Sequence, residues 1–185
     1  MRLILFAVFI VFMWGCGGTT QQEQAAEQEV SEKVAFMEKL RSLCGMELQG
    51  EIFADDYQPA YVGLPMSFTF NSCTEKEVRI VTLLPSQEQF TIILTLIDED
   101  LLLKHDVRDA DLSPREITMY GGFAHDGGTS VIQIFPVHNF GGDMWPGYED
   151  YSWEICMPEG EGKFEYIEYA ADKVRRHFTA IIPGV

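Results

Sequence analysis

The sequence predicts a mainly β protein: an antiparallel up-and-down meander of about ten strands, closing into a lipocalin-like barrel, with one N-terminal helix. Three observations carry this. Beyond residue 45, apolar residues recur with period two in short stretches separated by turn residues at intervals of about 8 to 12. The connections Asp98-Glu99-Asp100, Asp126-Gly127-Gly128 and Gly160-Glu161-Gly162 are too short for crossover helices, so neighbouring strands should pair as hairpins. Only the segment that starts at Ser31 has helical spacing. A meander of this length must close or split to protect its edges, which makes a barrel the first expectation and a two-sheet sandwich the second.

In chain order, Arg2 supplies a minimal positive region and residues 3–14 an apolar run that ends in Met13-Trp14-Gly15-Cys16. This is the pattern of a lipoprotein signal peptide over 1–15, with cleavage after Gly15 and lipid attachment, palmitate among the acyl chains, at Cys16. A membrane span needs about 20 apolar residues, and polar residues begin too soon after this run. Acyl chains contribute about 0.8 kcal/mol per buried CH₂, so two or more hold a domain at a bilayer without a spanning helix. Gly17 after the cysteine resembles lipoproteins sorted to the outer membrane, and the expected location is the envelope, facing the periplasm.

Residues 16–30 are Gly, Thr, Gln, Ala and Glu in the main and read as a flexible tether, leaving 31–185 as one domain. Ser31 is a candidate N-cap; Val34, Met37, Leu40 and Cys44 form a stripe widened by Phe36 and Leu43, and Gly45 can end the helix. Strands are expected over 46–54, 66–73, 77–83, 90–97, 101–108, 115–120, 129–135, 151–157, 163–169 and 174–181. Met66, Phe68 and Phe70 alternate with Ser67, Thr69 and Asn71, as on a strand with one buried face. The segment 136–150, rich in Gly, Trp and Tyr, is the longest irregular stretch and the expected mouth loop.

A formal net charge of −16 repels nucleic acid and anionic lipid head groups, so neither is an expected ligand. Of 4 cysteines, Cys16 is taken by lipid. In an oxidising compartment Cys44 and Cys73, each beside a turn residue, are expected to form a disulfide. Cys156 shares a strand face with Glu154, opposite Trp153, Ile155 and Met157, and is read as an inert, partly covered thiol rather than a reactive one.

Leu43-Cys44-Gly45 with Gly50-Glu51 just downstream, Cys73, the run Asp100-Leu101-Leu102-Leu103-Lys104-His105-Asp106, Thr118-Met119-Tyr120-Gly121-Gly122, Phe135-Pro136, Trp153-Glu154-Ile155 and Phe164-Glu165-Tyr166 resemble, in that order, an uncharacterised family of bacterial secreted proteins and lipoproteins. The Leu-Lys-His-Asp and Tyr-Gly-Gly pieces are the most specific. The resemblance implies the Cys44–Cys73 pairing and a shared fold, and no activity. After Asp106 the chain departs from it, with Val107-Arg108-Asp109-Ala110 where the family continues with His and acidic residues.

Period two places Leu101, Leu103, His105 and Val107 on one strand face, and Leu102, Lys104, Asp106 and Arg108 on the other. Facing a lumen, His105 would be suited to hydrogen-bond or ligate a bound molecule; the plainer reading is a core histidine satisfied by a tyrosine or a backbone carbonyl. Lys104, Asp106 and Arg108 read as a cross-strand charge ladder. Tyr120-Gly121-Gly122 is expected to end a strand, with His125-Asp126-Gly127-Gly128 as the following turn and the glycines in loop service. Asp98, Glu99 and Asp100 lack the ligand spacing of a calcium loop. Common catalytic signatures are missing, and His138 near Asp143 has no nucleophile linked to it by spacing.

The resulting expectation is a lipid-anchored barrel whose lumen takes a small apolar or amphipathic molecule. Its ligand-contact residues are His105, Tyr120, Trp153 and Tyr166, in a lumen that also holds Phe68, Phe70 and Phe164. No catalytic residue, metal ligand or cofactor is assigned. The expected partners are the membrane, through the acyl chains, and a small ligand or an envelope protein. One alternative is a protein-interaction lipoprotein that uses the loop around Met144-Trp145-Pro146. Another is an envelope hydrolase in which His105, His125 or His138 converges with carboxylates in a cleft.

Overall fold

Alternation in the sequence becomes alternation in burial along the strands of the computed structural model, which describes residues 30–137 and 149–184. The elements are α1 (Glu32–Ser42), β1 (Glu47–Asp55), β2 (Pro65–Cys73), β3 (Glu77–Leu83), β4 (Gln89–Ile97), β5 (Asp100–Val107), β6 (Tyr120–Phe123), β7 (Ile132–Pro136), β8 (Tyr151–Cys156), β9 (Lys163–Ala170) and β10 (Lys173–Ile181), with a 3-10 turn at Pro59–Tyr61. All strand pairs are antiparallel, in the order β6-β5-β4-β3-β2-β1-β10-β9-β8-β7. The first and last strands therefore pair, Gly50 opposite Ala180, and the seam falls mid-chain between β6 and β7. The His125 N–H crosses that seam to the Ile134 carbonyl at 2.8 Å, so the sheet is a nearly closed barrel. Closure removes the exposed edges that a ten-stranded sheet would otherwise present.

The sixth strand differs from expectation. Residues 115–119 are not strand, and Tyr120-Gly121-Gly122 begins β6 instead of ending a strand. Ile117 and Met119 are exposed, Met119 has a left-handed φ of 57°, and Thr118 Oγ1 accepts the Val107 N–H at 2.7 Å. The Arg115 and Met119 N–H groups still reach the Val107 and His105 carbonyls at 3.1 and 2.6 Å, but the Thr118 hydroxyl takes the N–H that a ladder carbonyl would have taken. Gly121 serves the sheet, not a loop: a Cβ there would lie 1.9 Å from the Leu103 carbonyl oxygen, so only glycine lets β6 approach β5 this closely.

Inside the barrel, Phe68, Phe70 and Phe164 meet edge to face, with ring centroids 4.8 and 5.4 Å apart, and all three are fully buried. Each such ring contributes about 1.5–3 kcal/mol through burial. Phe36, Met37 and Leu40 of α1 join this core and close one end of it. The Ser31 hydroxyl accepts the Val34 N–H, capping the helix as expected, and Gly45 takes a left-handed φ of 82° just beyond it. Lys33 reaches Asp100 and Asp126, each at 2.9 Å, Lys39 reaches Glu159 at 3.2 Å, and the Glu32 carboxylate accepts the Ser130 N–H. The turns β4–β5, β6–β7 and β8–β9 are thereby gathered around the helix. Asp100, weighed above as part of a calcium loop, is engaged by Lys33.

The Cys44–Cys73 disulfide is present, with Cα atoms 6.1 Å apart, and ties the exit of α1 to the end of β2. Cys156 is buried, and its thiol is pushed up to about 11, first by burial and then by Glu165, Glu154 and Glu161. A thiol held protonated in this way is a poor nucleophile. Of the charges expected to form a ladder, Asp106 and Arg108 pair along the chain, Arg108 Nε to Asp106 Oδ2 at 2.9 Å.

A candidate ligand-binding cavity

At the end away from α1 the core stops short of filling the barrel. The strands leave a cavity of about 550 Å³, bordered by the segment after β1, the β3–β4 turn and the β5–β6 loop. Six aromatic residues form its walls: Tyr57, Phe90, Tyr120, Tyr151, Trp153 and Tyr166. Glu168 and Arg176 line it on the β9–β10 side, and Glu88, Asp109, Arg115 and Glu116 on the β3–β4 and β5–β6 side. Arg115 is already held by Asp109 at 3.0 Å and by Glu88 at 3.9 Å. A hollow of this size, with aromatic walls and convergent polar and charged groups in nearly equal share, has the build of a site for a small amphipathic molecule.

His105 supports the cavity from beneath without lining it. It is 1% exposed, stacks on Tyr120 at 4.8 Å and meets Trp153 at 4.9 Å. Its Nδ1 lies 3.3 Å from the Tyr120 carbonyl and its Nε2 lies 2.9 Å from the Tyr166 hydroxyl. A carbonyl only accepts, so the proton sits on Nδ1 and the Tyr166 hydroxyl donates to Nε2. Burial, reinforced by the Arg176 charge, lowers the imidazole pKa to about 3 against the pull of the Tyr120 carbonyl. With both ring nitrogens engaged by Tyr120 and Tyr166, the imidazole is placed to fix the positions of these two residues.

A second network adjoins that of His105 through Trp153. Glu168 accepts from the Tyr57 hydroxyl at 2.8 Å and from the Trp153 indole N–H at 3.3 Å, and the Tyr57 and Tyr151 hydroxyls are 3.0 Å apart. Burial is the largest cause that raises the Tyr57 and Tyr166 phenol pKa values, so both remain donors at neutral pH. Arg176 pairs with Glu168 across β9 and β10, lies 4.5 Å over the Tyr57 ring, and places its Nε 3.5 Å from Asp55 Oδ2. Burial works against the guanidinium charge, but Glu168 and Asp55 outweigh it and raise the Arg176 pKa.

No family model, curated protein or solved structure matches this chain. The site is therefore read from its own residues.

Of the residues singled out in the sequence, Tyr120, Trp153 and Tyr166 line the cavity, while Phe68, Phe70 and Phe164 are packed in the core below it. His125 lies at the helix-covered end, where its Nδ1 accepts the Gly127 N–H at 3.0 Å. His125 thus does not line the cavity. Cys16, His138, Asp143 and Met144-Trp145-Pro146 lie outside the described residues. Tyr57, Glu168 and Arg176 were not foreseen. A signal for two of them existed: Glu168 continues the inward set Phe164 and Tyr166, and Arg176 continues the inward set Ala180 and Phe178. A charge that keeps the parity of a core face is a marker of a lumen.

Proposed function

We propose that this chain is a lipid-anchored protein of the bacterial envelope whose barrel holds a small apolar or amphipathic molecule. The observation that carries the proposal is the contrast between the barrel's two ends. One is filled by Phe36, Met37 and Leu40, and the other contains a hollow of about 550 Å³ with aromatic walls. Folding does not require such a hollow, because interiors normally pack to crystal-like density. The anchor rests on the Gly15-Cys16 pattern and the tether that follows it. Because α1 directly follows that tether, an anchored barrel is joined to the membrane from its helix-covered end. His105 offers little support to the hydrolase alternative, since it is buried with both nitrogens engaged inside the protein.

Native mass spectrometry of the full chain purified from an envelope fraction tests this reading. The expected result is an adduct of discrete mass that organic extraction releases and that Val107→Trp, which fills the cavity from its wall, reduces several-fold. A bare polypeptide mass for both forms would overturn the binding proposal. Metabolic labelling with palmitate tests the anchor: incorporation should vanish in Cys16→Ser, and labelling that survives the change would overturn it.

A further inference from the structure

Arg176 is the cavity residue with the most unmet hydrogen-bonding capacity. A guanidinium carries five N–H donors in a rigid fork, and its side chain here is only 23% exposed. Among the described residues none accepts a hydrogen bond from it, and its buried Nε faces the equally buried Asp55 Oδ2 at 3.5 Å, an ion pair rather than a hydrogen bond. Its contacts are electrostatic and facial: Asp55 beside it, Glu168 across the strand pair and the Tyr57 ring beneath it. Unsatisfied donors in a desolvated place are costly, and an acceptor brought by a ligand would relieve them.

The charges around the fork decide what kind of acceptor fits. One cation already stands between two carboxylates, Asp55 and Glu168, both almost fully buried. A ligand carboxylate or phosphate would place a further negative charge in this cluster, away from water, where like charges repel strongly. At this end of the cavity, away from Glu88, Asp109 and Glu116, an ammonium ligand fares no better, because it would meet the guanidinium groups themselves. The Tyr57 ring face, which would attract it, is covered by the Arg176 and Arg175 guanidinium groups at 4.5 and 5.1 Å. What remains is an uncharged acceptor.

Resting on the binding function proposed above, we infer that the ligand is neutral at its buried end, presenting a carbonyl-type acceptor (ester, amide or ketone) to Arg176, with a flat or acyl apolar body against Tyr120, Trp153 and Tyr166. Arg176 is then the residue that selects by head group, and the aromatic walls supply affinity without regard to charge.

Three probes with one apolar body separate the possibilities: methyl 2-naphthoate, 2-naphthoate and 2-naphthylmethylammonium. They are titrated by calorimetry into the unacylated chain of residues 16–185. The ester is expected to bind at least about tenfold more tightly than either charged probe. Arg176→Met should remove most of that preference. Because this change also leaves Asp55 without its cation and can unsettle the fold, Glu168→Gln provides an independent arm. It deletes one negative charge while keeping an acceptor for Tyr57 or Trp153, and should shift relative affinity toward the carboxylate by about tenfold. Tightest binding of the carboxylate or the ammonium to the unaltered protein would overturn the head-group inference and leave the cavity reading standing. So would an unchanged preference in Glu168→Gln. Binding of none of the three would overturn both.

Discussion

Acidification from pH 6.5 toward pH 3 is expected to remove on the order of 4–5 kcal/mol of stability through His105 alone. The imidazole titrates near 6.5 when the chain is unfolded and near 3 when folded, so between these values the unfolded state binds the extra proton. The contribution is therefore complete above about pH 6.5, falls steadily as the pH drops, and is gone below about pH 3. Protonation would also deprive Nε2 of its role as acceptor for Tyr166 and place a second cation near Arg176. Urea denaturation at pH 7 and pH 4 measures this directly. The unaltered protein should lose several kcal/mol between the two, whereas His105→Gln, already weaker at pH 7, should show a much flatter dependence. Glu154 acts in the opposite direction, since burial raises its carboxyl pKa and acid relieves that cost, so it cannot account for a loss on acidification. Equal slopes in the two proteins would remove His105 from its assigned place as a neutral support.

Reducing the Cys44–Cys73 bridge, or replacing both cysteines with serine, is expected to cost about 3–4 kcal/mol for a loop closed over 29 residues. The loss should also have a location. The bridge joins the exit of α1 to β2, and α1 is otherwise held by its three core side chains and by the charged contacts of Lys33 and Lys39. Hydrogen exchange should therefore accelerate first in residues 32–42, with β3, β4 and β9 protected until global unfolding. Identical denaturation midpoints with and without the bridge would contradict the assignment of α1 as a tethered plug.

Much of this architecture was legible because a barrel repeats one simple rule. Phe68 and Phe70, Leu101 and Leu103, Phe164 and Tyr166 each keep inward parity, and the short turns between strands leave antiparallel pairing as the only economical connection. The rule fails where the backbone stops obeying period two. Around 115–119 the apolar spacing of Ile117 and Met119 mimics a strand, but a threonine hydroxyl and a left-handed residue bond the backbone as a loop. A register shift between Ile52 and Ala54 brings Asp55 to the buried side, where simple alternation would not place it. The cavity itself was half legible. Tyr120, Trp153 and Tyr166 follow from parity, but the unfilled space depends on how far α1 and the core rings extend up the barrel, which no local pattern encodes. Tyr57 comes from a segment between strands and reaches Glu168, 111 residues away, through tertiary folding alone.

The most direct test of an open, ligand-holding end follows the Trp153 indole N–H by heteronuclear NMR while methyl 2-naphthoate is added to the ¹⁵N-labelled chain. That proton points to Glu168 in the cavity wall, far from the helix-covered end. Saturable shifts of the Trp153 indole signal and of the Tyr57, Tyr120 and Tyr166 amides are predicted, with residues 32–42 unmoved. Shifts confined to α1, or none at saturating probe, would contradict the assignment of this cavity as the binding site.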